Sequence, residues 1–190
     1  HAVSMNSASS ALYAALGAAG VEPGDQVIVT PYTMTASATA ALVWGAIPVF
    51  ADIDPDTFCI DPAAVRALIT PRTRAIIAVD IFGHPAAFEE LMQIAQEHNL
   101  VVIEDAAQAP GALLNGRMAG TLGHIGVYSL NYHKHIHCGE GEKTAFPVGY
   151  TAEAGHRRHA NAGWKPIIAS PKSGSQRNPR LLSLSHEVSR

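Results

Sequence analysis

Asp105, Gln108, Ser129 and Lys134 put a carboxylate, an amide, a hydroxyl and an amine close behind two β-branched runs. Asp105 follows Leu100-Val-Val-Ile103, Gln108 lies three residues on, Ser129 ends Val127-Tyr-Ser129, and Lys134 lies five residues beyond it. A second polar group, Asn6-Ser-Ala-Ser-Ser10, follows the run Ala2–Met5 and opens a helix-like stretch. Open parallel sheets bind ligands at the carboxyl ends of their strands, so these segments form the candidate site. A lysine amine is a nucleophile toward carbonyl carbon. A buried carboxylate can face and hold a protonated nitrogen. Serine hydroxyls beside the N–H groups of a helix start suit a phosphate. His133, His135 and His137, followed by Cys138, alternate in the way that suits a metal site. No acidic fourth ligand stands nearby, so no metal is expected, and the histidines are read as lining a polar site mouth.

The elements that must position these groups alternate along the chain. Strand-like runs are Val27–Val29, Ile47–Phe50, Ala75–Val79, Leu100–Ile103 and Val127–Ser129, most running into Thr-Pro or acidic turn residues. Helix-like stretches run over Ser9–Ala19, Thr35–Val43, Pro62–Leu68 and Phe88–Glu97. Asp61 is placed to cap the third, with Pro62 at its first position. The fourth carries Phe88, Leu91, Met92 and Ala95 at the spacing of one helix face. This rhythm predicts an α/β fold of three layers, a mostly parallel sheet with helices on both faces.

Several ordered motifs then resemble one family. Glu104-Asp-Ala-Ala-Gln-Ala109 with Gly111-Ala112, and Ser129-Leu-Asn-Tyr-His-Lys134 with Gly139-Glu-Gly141, are similar to the central and lysine motifs of the DegT/DnrJ/StrS family. Gly24-Asp-Gln-Val, Pro31-Tyr-Thr, Gly45-Ala-Ile-Pro-Val-Phe, Asp52-Ile-Asp-Pro, Phe82-Gly-His-Pro and Gly120-Thr-Leu-Gly-His-Ile-Gly-Val fit its connecting segments. The similarity runs almost without gaps from Val3 to Gly141. Members are fold-type-I, pyridoxal-phosphate-dependent enzymes, mostly sugar aminotransferases. The resemblance implies the large domain of that fold, here incomplete, and pyridoxal 5'-phosphate as cofactor.

By the same resemblance Lys134 forms an imine with the cofactor aldehyde and serves as the base for proton transfer. Asp105 faces the pyridine nitrogen and keeps it protonated. Gln108 bonds the ring's 3-oxygen, and Ser9, Ser10 and Ser129 bind the phosphate. The family usually has Ser-Gly-Thr where this chain has Ser7-Ala8-Ser9, which keeps a small residue and a hydroxyl. It often stacks an aromatic ring where Met34 stands. A methionine sulfur against an aromatic face contributes ~0.3–1.5 kcal/mol. The implied reaction moves an amino group from an amino acid to a keto-sugar, nucleotide-linked. Family members that dehydrate sugars carry His in place of the lysine, so Lys134 argues for amino transfer. The other alternative is a non-catalytic fragment that at most binds cofactor.

Composition sets the outer limits. The 190 residues are 47% hydrophobic with net charge −3, so bulk charge points to neither nucleic acid nor membrane as partner. Cys59 and Cys138 make no Cys-x-x-Cys and read as free thiols in a cytoplasmic, reducing compartment. The chain starts at His1 with no signal peptide, as though something upstream had been removed. Residues 142–190 hold eight Lys or Arg against three Glu and no Asp, so the acidic excess lies wholly in 1–141. The division expected is a cofactor-binding core over 1–141 and an atypical tail over 142–190, disordered or frame-shifted. The core sheet would then lack its next strand and show an unpaired edge. The family's N-terminal arm and small domain are not recognisable, and the full-length parent is expected to be a homodimer.

Overall fold

The apolar run Ala75–Val79 lies inside a seven-stranded sheet in the computed structural model, which describes residues 2–138 and 142–145. In chain order the elements are β1 (Ala2–Met5), α1 (Ala8–Ala18), β2 (Gln26–Val29), α2 (Thr35–Val43), β3 (Ile47–Phe50), α3 (Pro62–Leu68) and β4 (Thr73–Val79). A 3-10 turn (Ile81–Gly83), α4 (Phe88–His98) and β5 (Val101–Asp105) follow. Then come a small hairpin, β6 (Leu113–Leu114) with β7 (Arg117–Met118), β8 (Ile125–Ser129) and β9 (Glu142–Ala145). The sheet order is β1-β9-β8-β5-β4-β2-β3, and β9 alone runs antiparallel to its neighbours.

Strand burial follows position in the sheet. Every residue of β2 is buried, and all of β4 but Arg74, because helices cover both faces there. The edge strand β3 leaves Ile47 and Phe50 exposed. Right-handed crossovers fix the layers. The connections through α1 and α2 advance across the sheet in one sense, and those through α3 and α4 return in the other. The two pairs therefore cover opposite faces, and α1 packs on α2 while α3 packs on α4.

Local chemistry sets the helix ends. Asp61 accepts from the Ala63 N–H at 2.8 Å with Pro62 in the first turn, as its sequence predicts. Asn99, in the left-handed region at φ 58°, closes α4. Gly17 lets α1 and α2 approach: a Cβ there would stand 2.4 Å from the Trp44 ring, whose Nε1–H donates to the Tyr13 carbonyl at 2.8 Å.

Three expectations change. β5 does not stop at Ile103 but carries Glu104 and Asp105 in its ladder, opposite Ala78 and Val79. The hairpin β6–β7 was not foreseen, because two-residue strands give no periodicity to read. The sheet also continues past the division expected at Gly141. Glu142–Ala145 pairs with β8 on one side and β1 on the other, so the β8 edge that the sequence left open is filled. The rest of the expected tail, 146–190, lies outside the described residues.

Candidate active site

Every parallel strand of the sheet ends at the same edge. β1 ends at Met5, and α1 begins at that edge and runs back along the sheet, packing on β5 and β8. Its start therefore stands beside the ends of β5 and β8, where Asp105 and Ser129 lie. Strand alternation decides which way these residues face. Asp105 pairs with Val127, so Asp105, Val127 and Ser129 share one face, and the contact of Asp105 with Ser37 of α2 makes it the α1–α2 face. Glu104 and Gly126 point to the opposite face.

Asp105 is buried, and its carboxylate is held by two donors. The Ser37 hydroxyl donates to Oδ2 at 2.8 Å, and the Ala107 N–H donates to Oδ1 at 3.2 Å. Ser37 has one proton and gives it to Asp105, so Thr33 is the donor in the 3.0 Å contact between the Thr33 and Ser37 hydroxyls. Burial pushes the Asp105 carboxyl above the usual carboxylate range. The Ser37 bond, the Ala107 N–H and the nearby charge of Lys134 pull against that rise.

Lys134 is half-buried in the turn between β8 and β9. That turn is closed by Cys138 N–H donating to the Leu130 carbonyl at 3.1 Å and by Lys134 N–H donating to Asn131 at 2.9 Å. Gln108 turns its Oε1 toward the Phe82 N–H, 2.9 Å away. Its amide nitrogen is thereby left as the donor end, which fits an anionic oxygen and not a cation. Met34 stands at the N-cap of α2, 62% exposed, three residues before Ser37.

The serines at α1 divide between capping and the helix start. Ser7 caps the helix, its hydroxyl accepting from the Ser10 N–H at 3.1 Å. Ser10 Oγ donates to Asn6 Oδ1 at 2.6 Å. Ser9 and Ser10 are both half-buried at the helix start, where the N–H groups of Ala8 and Ser9 have no acceptor within the helix. Ser129 is 2% exposed at the end of β8.

Sequence reasoning missed Ser37, although one signal was there. It is the polar member of a buried stripe with Ala40 and Ala41, spaced as one helix face. His133, His135 and His137 are exposed, and among the described residues no three metal-ligating side chains converge. A polar cavity of about 450 Å³ lined by Thr70, Arg74 and His98 lies at the opposite edge of the sheet and shares no residue with this group.

Fold and polar edge together define the large-domain core of a fold-type-I transferase, and comparison with known proteins makes the class specific. Residues 1–146 match the DegT/DnrJ/EryC1/StrS aminotransferase family, and the chain belongs to it. L-glutamine:2-deoxy-scyllo-inosose aminotransferase of Streptomyces kanamyceticus is 45% identical over 150 residues, covering 78% of this chain and 35% of that protein. GDP-perosamine synthase of Caulobacter vibrioides is 45% identical over 141 residues, 74% of this chain and 38% of that protein. Among solved structures, S. venezuelae DesV in complex with a ketimine intermediate superposes with TM-score 0.76 at 39% identity, over 87% of this chain and 45% of that one. The chain thus spans less than half the length of these relatives.

Aminotransferases of this family depend on pyridoxal phosphate, and the donor set fits that group. Each Asp105 oxygen holds one donor and retains a lone pair for another, which a protonated ring nitrogen can fill. The start of α1 offers N–H groups and hydroxyls to a phosphate, and Lys134 offers an amine within electrostatic reach of Asp105.

Proposed function

We propose that this chain is the cofactor-binding core of a pyridoxal-phosphate-dependent aminotransferase that carries an amino group from an amino acid to a keto-sugar, nucleotide-linked, with Lys134 holding the cofactor. The observation that carries the reading is the buried Asp105 carboxylate, supported by Ser37 and within electrostatic reach of the Lys134 charge. When bound, pyridoxal phosphate supplies a conjugated ring that accepts electron density from the carbon bearing the amino group.

The chain's own residues would then divide the work. Asp105 would hold the proton on the ring nitrogen, with Ser37 keeping Asp105 charged and aimed. Gln108 would donate from its amide nitrogen to the ring's 3-oxygen. Ser9, Ser10, Ser129 and the first N–H groups of α1 would bind the phosphate, and Met34 would pack against the ring. Lys134 would be the attachment point, and its amine would serve as the base for proton transfer. The full-length parent is read as a homodimer, with a small-molecule amino donor and sugar acceptor as its partners. A cytoplasmic setting belongs to the same reading.

The test is the visible absorption of the chain mixed with pyridoxal phosphate, compared with Lys134→Ala. A lysine-dependent band in the first and its absence in the second are expected, and identical spectra would refute the assignment. A second reading for the 190-residue chain is cofactor binding without turnover. It holds if the band forms and neither glutamate nor glutamine discharges it.

A further inference from the structure

We infer that Asp80 and Glu104 form a carboxyl pair sharing one proton on the reverse face of β5, and that this pair positions Asp105 and Gln108. The inference deepens the function proposed above and uses residues that function leaves unassigned. Both side chains are fully buried. The register of β4 on β5 sets Ala78 opposite Glu104, so Asp80, two residues past Ala78, lies on the same face as Glu104.

Their donors are unequal. Glu104 Oε1 accepts from the Gly120 N–H, and Oε2 accepts from the N–H groups of Leu122 at 2.7 Å and Gly123 at 2.9 Å. Among the described residues, Asp80 Oδ1 accepts only from the Ala86 N–H at 3.1 Å, and Oδ2 has no N–H or O–H donor. Two carboxyls within hydrogen-bonding reach of each other in a dry site cannot both ionise. The proton belongs on the one with fewer donors. Placed on Asp80 Oδ2, it satisfies the orphan atom and donates to Glu104.

Among the described residues, the other titratable groups that act on the pair are Tyr128 on β8 and Cys59 before α3 and, from the opposite face of β5, Asp105, and all are acids. Burial first, and then the Glu104 charge, push Asp80 up to about 9.

The backbone around Asp80 reaches the site at two points. The Asp80 N–H donates to the Asp105 carbonyl at 3.1 Å. Its carbonyl accepts from the Gly83 N–H at 3.3 Å, closing the turn whose Phe82 N–H fixes Gln108. Asp80 is thus a positioning residue: it touches no cofactor atom, and losing its proton would set two negative charges against each other beneath both contacts.

Infrared and NMR spectra of the 190-residue chain test this without cofactor. A protonated-carboxyl C=O band is expected at neutral pH, disappearing as the pH passes about 9. The amide signals of Phe82 and Gly120 should move over the same range. In Asp80→Asn, which keeps the acceptor for Ala86 and a donor for Glu104, the band should be absent and both signals flat. Where pyridoxal phosphate binds, wild-type affinity should fall about tenfold per pH unit beyond that point while Asp80→Asn stays level. No band at neutral pH, or identical pH profiles in the two proteins, would overturn the inference. If Asp80→Asn fails to fold, Asp105→Asn decides: the band must persist when that other buried carboxyl is removed, and its loss there would overturn the inference. Failure of the Lys134 experiment with the band present would refute the cofactor reading and leave the pair standing.

Discussion

Removing the Ser37 hydroxyl tests whether Asp105 is held as a carboxylate. Ser37→Ala deletes a buried donor 2.8 Å from Asp105 Oδ2 and leaves only the Ala107 N–H on that group. Thr33 also loses its acceptor, but it is half-buried and can turn to water. A hydrogen bond to a charged group contributes about 1.5–3 kcal/mol, against about 0.5–1.5 kcal/mol for a neutral one. Only the difference between the two, about 1–1.5 kcal/mol, favours the charged form, so losing the bond pushes the Asp105 carboxyl further up. The folded pKa already lies above the unfolded one. The Asp105 contribution to stability is therefore complete below about pH 3.9, where both states are protonated, and declines as pH rises through the folded value. Ser37→Ala lifts that folded value, so its cost should be smallest at acid pH, where Asp105 is protonated in both states, and grow as pH rises through the wild-type folded value. Urea unfolding of wild type and variant across that range, repeated in an Asp105→Asn background, measures it. Taking the difference between each pair cancels the pH dependence of every other group. A cost flat in pH in both backgrounds would show that Asp105 is not held as a charge by Ser37.

Two further substitutions probe the frame. Gly126→Ala would place a Cβ 1.9 Å from the Gly120 carbonyl oxygen. Overpacking of that kind costs about 1–3 kcal/mol. The thermal midpoint should fall at about 2–4 °C per kcal/mol, and an unchanged midpoint would contradict the β8 packing. Asp61→Ala should cost about 1 kcal/mol in urea unfolding by uncapping α3, with Asp61→Asn recovering most of it.

What could be read in the sequence was what is encoded locally. The start of α3 is written in Asp61-Pro62, the core face of α4 in its spacing, and the depth of β4 in an unbroken apolar run. The candidate site was legible as far as its residues follow strand ends: Asp105, Ser129 and Lys134 all lie behind runs that formed strands. Its support was not. Ser37 reaches Asp105 across 68 residues, and its spacing with Ala40 and Ala41 marks it as facing inward without saying what it meets there. β9 was missed because its four residues carry no apolar run. Its place comes from pairing on both sides, which no single strand displays.

The two acids that end β5 show why adjacent residues of one motif do different work. A carboxylate offers about four acceptor positions. Glu104 fills three with backbone N–H groups, and the fourth faces Asp80, so it is saturated and can only brace. Asp105 fills two, one with a hydroxyl and one with a backbone N–H, and turns the remainder toward the face shared with Ser129. Strand alternation keeps the two apart despite their adjacency. A ligand nitrogen approaching the α1–α2 face therefore meets a carboxylate with room for it, while the loop at Gly120–Gly123 is pinned by its neighbour from the other side. Exchanging their side chains would leave a saturating set of N–H groups around a shorter acid and an unsupported longer one in the site, so the order Glu-Asp is not interchangeable here.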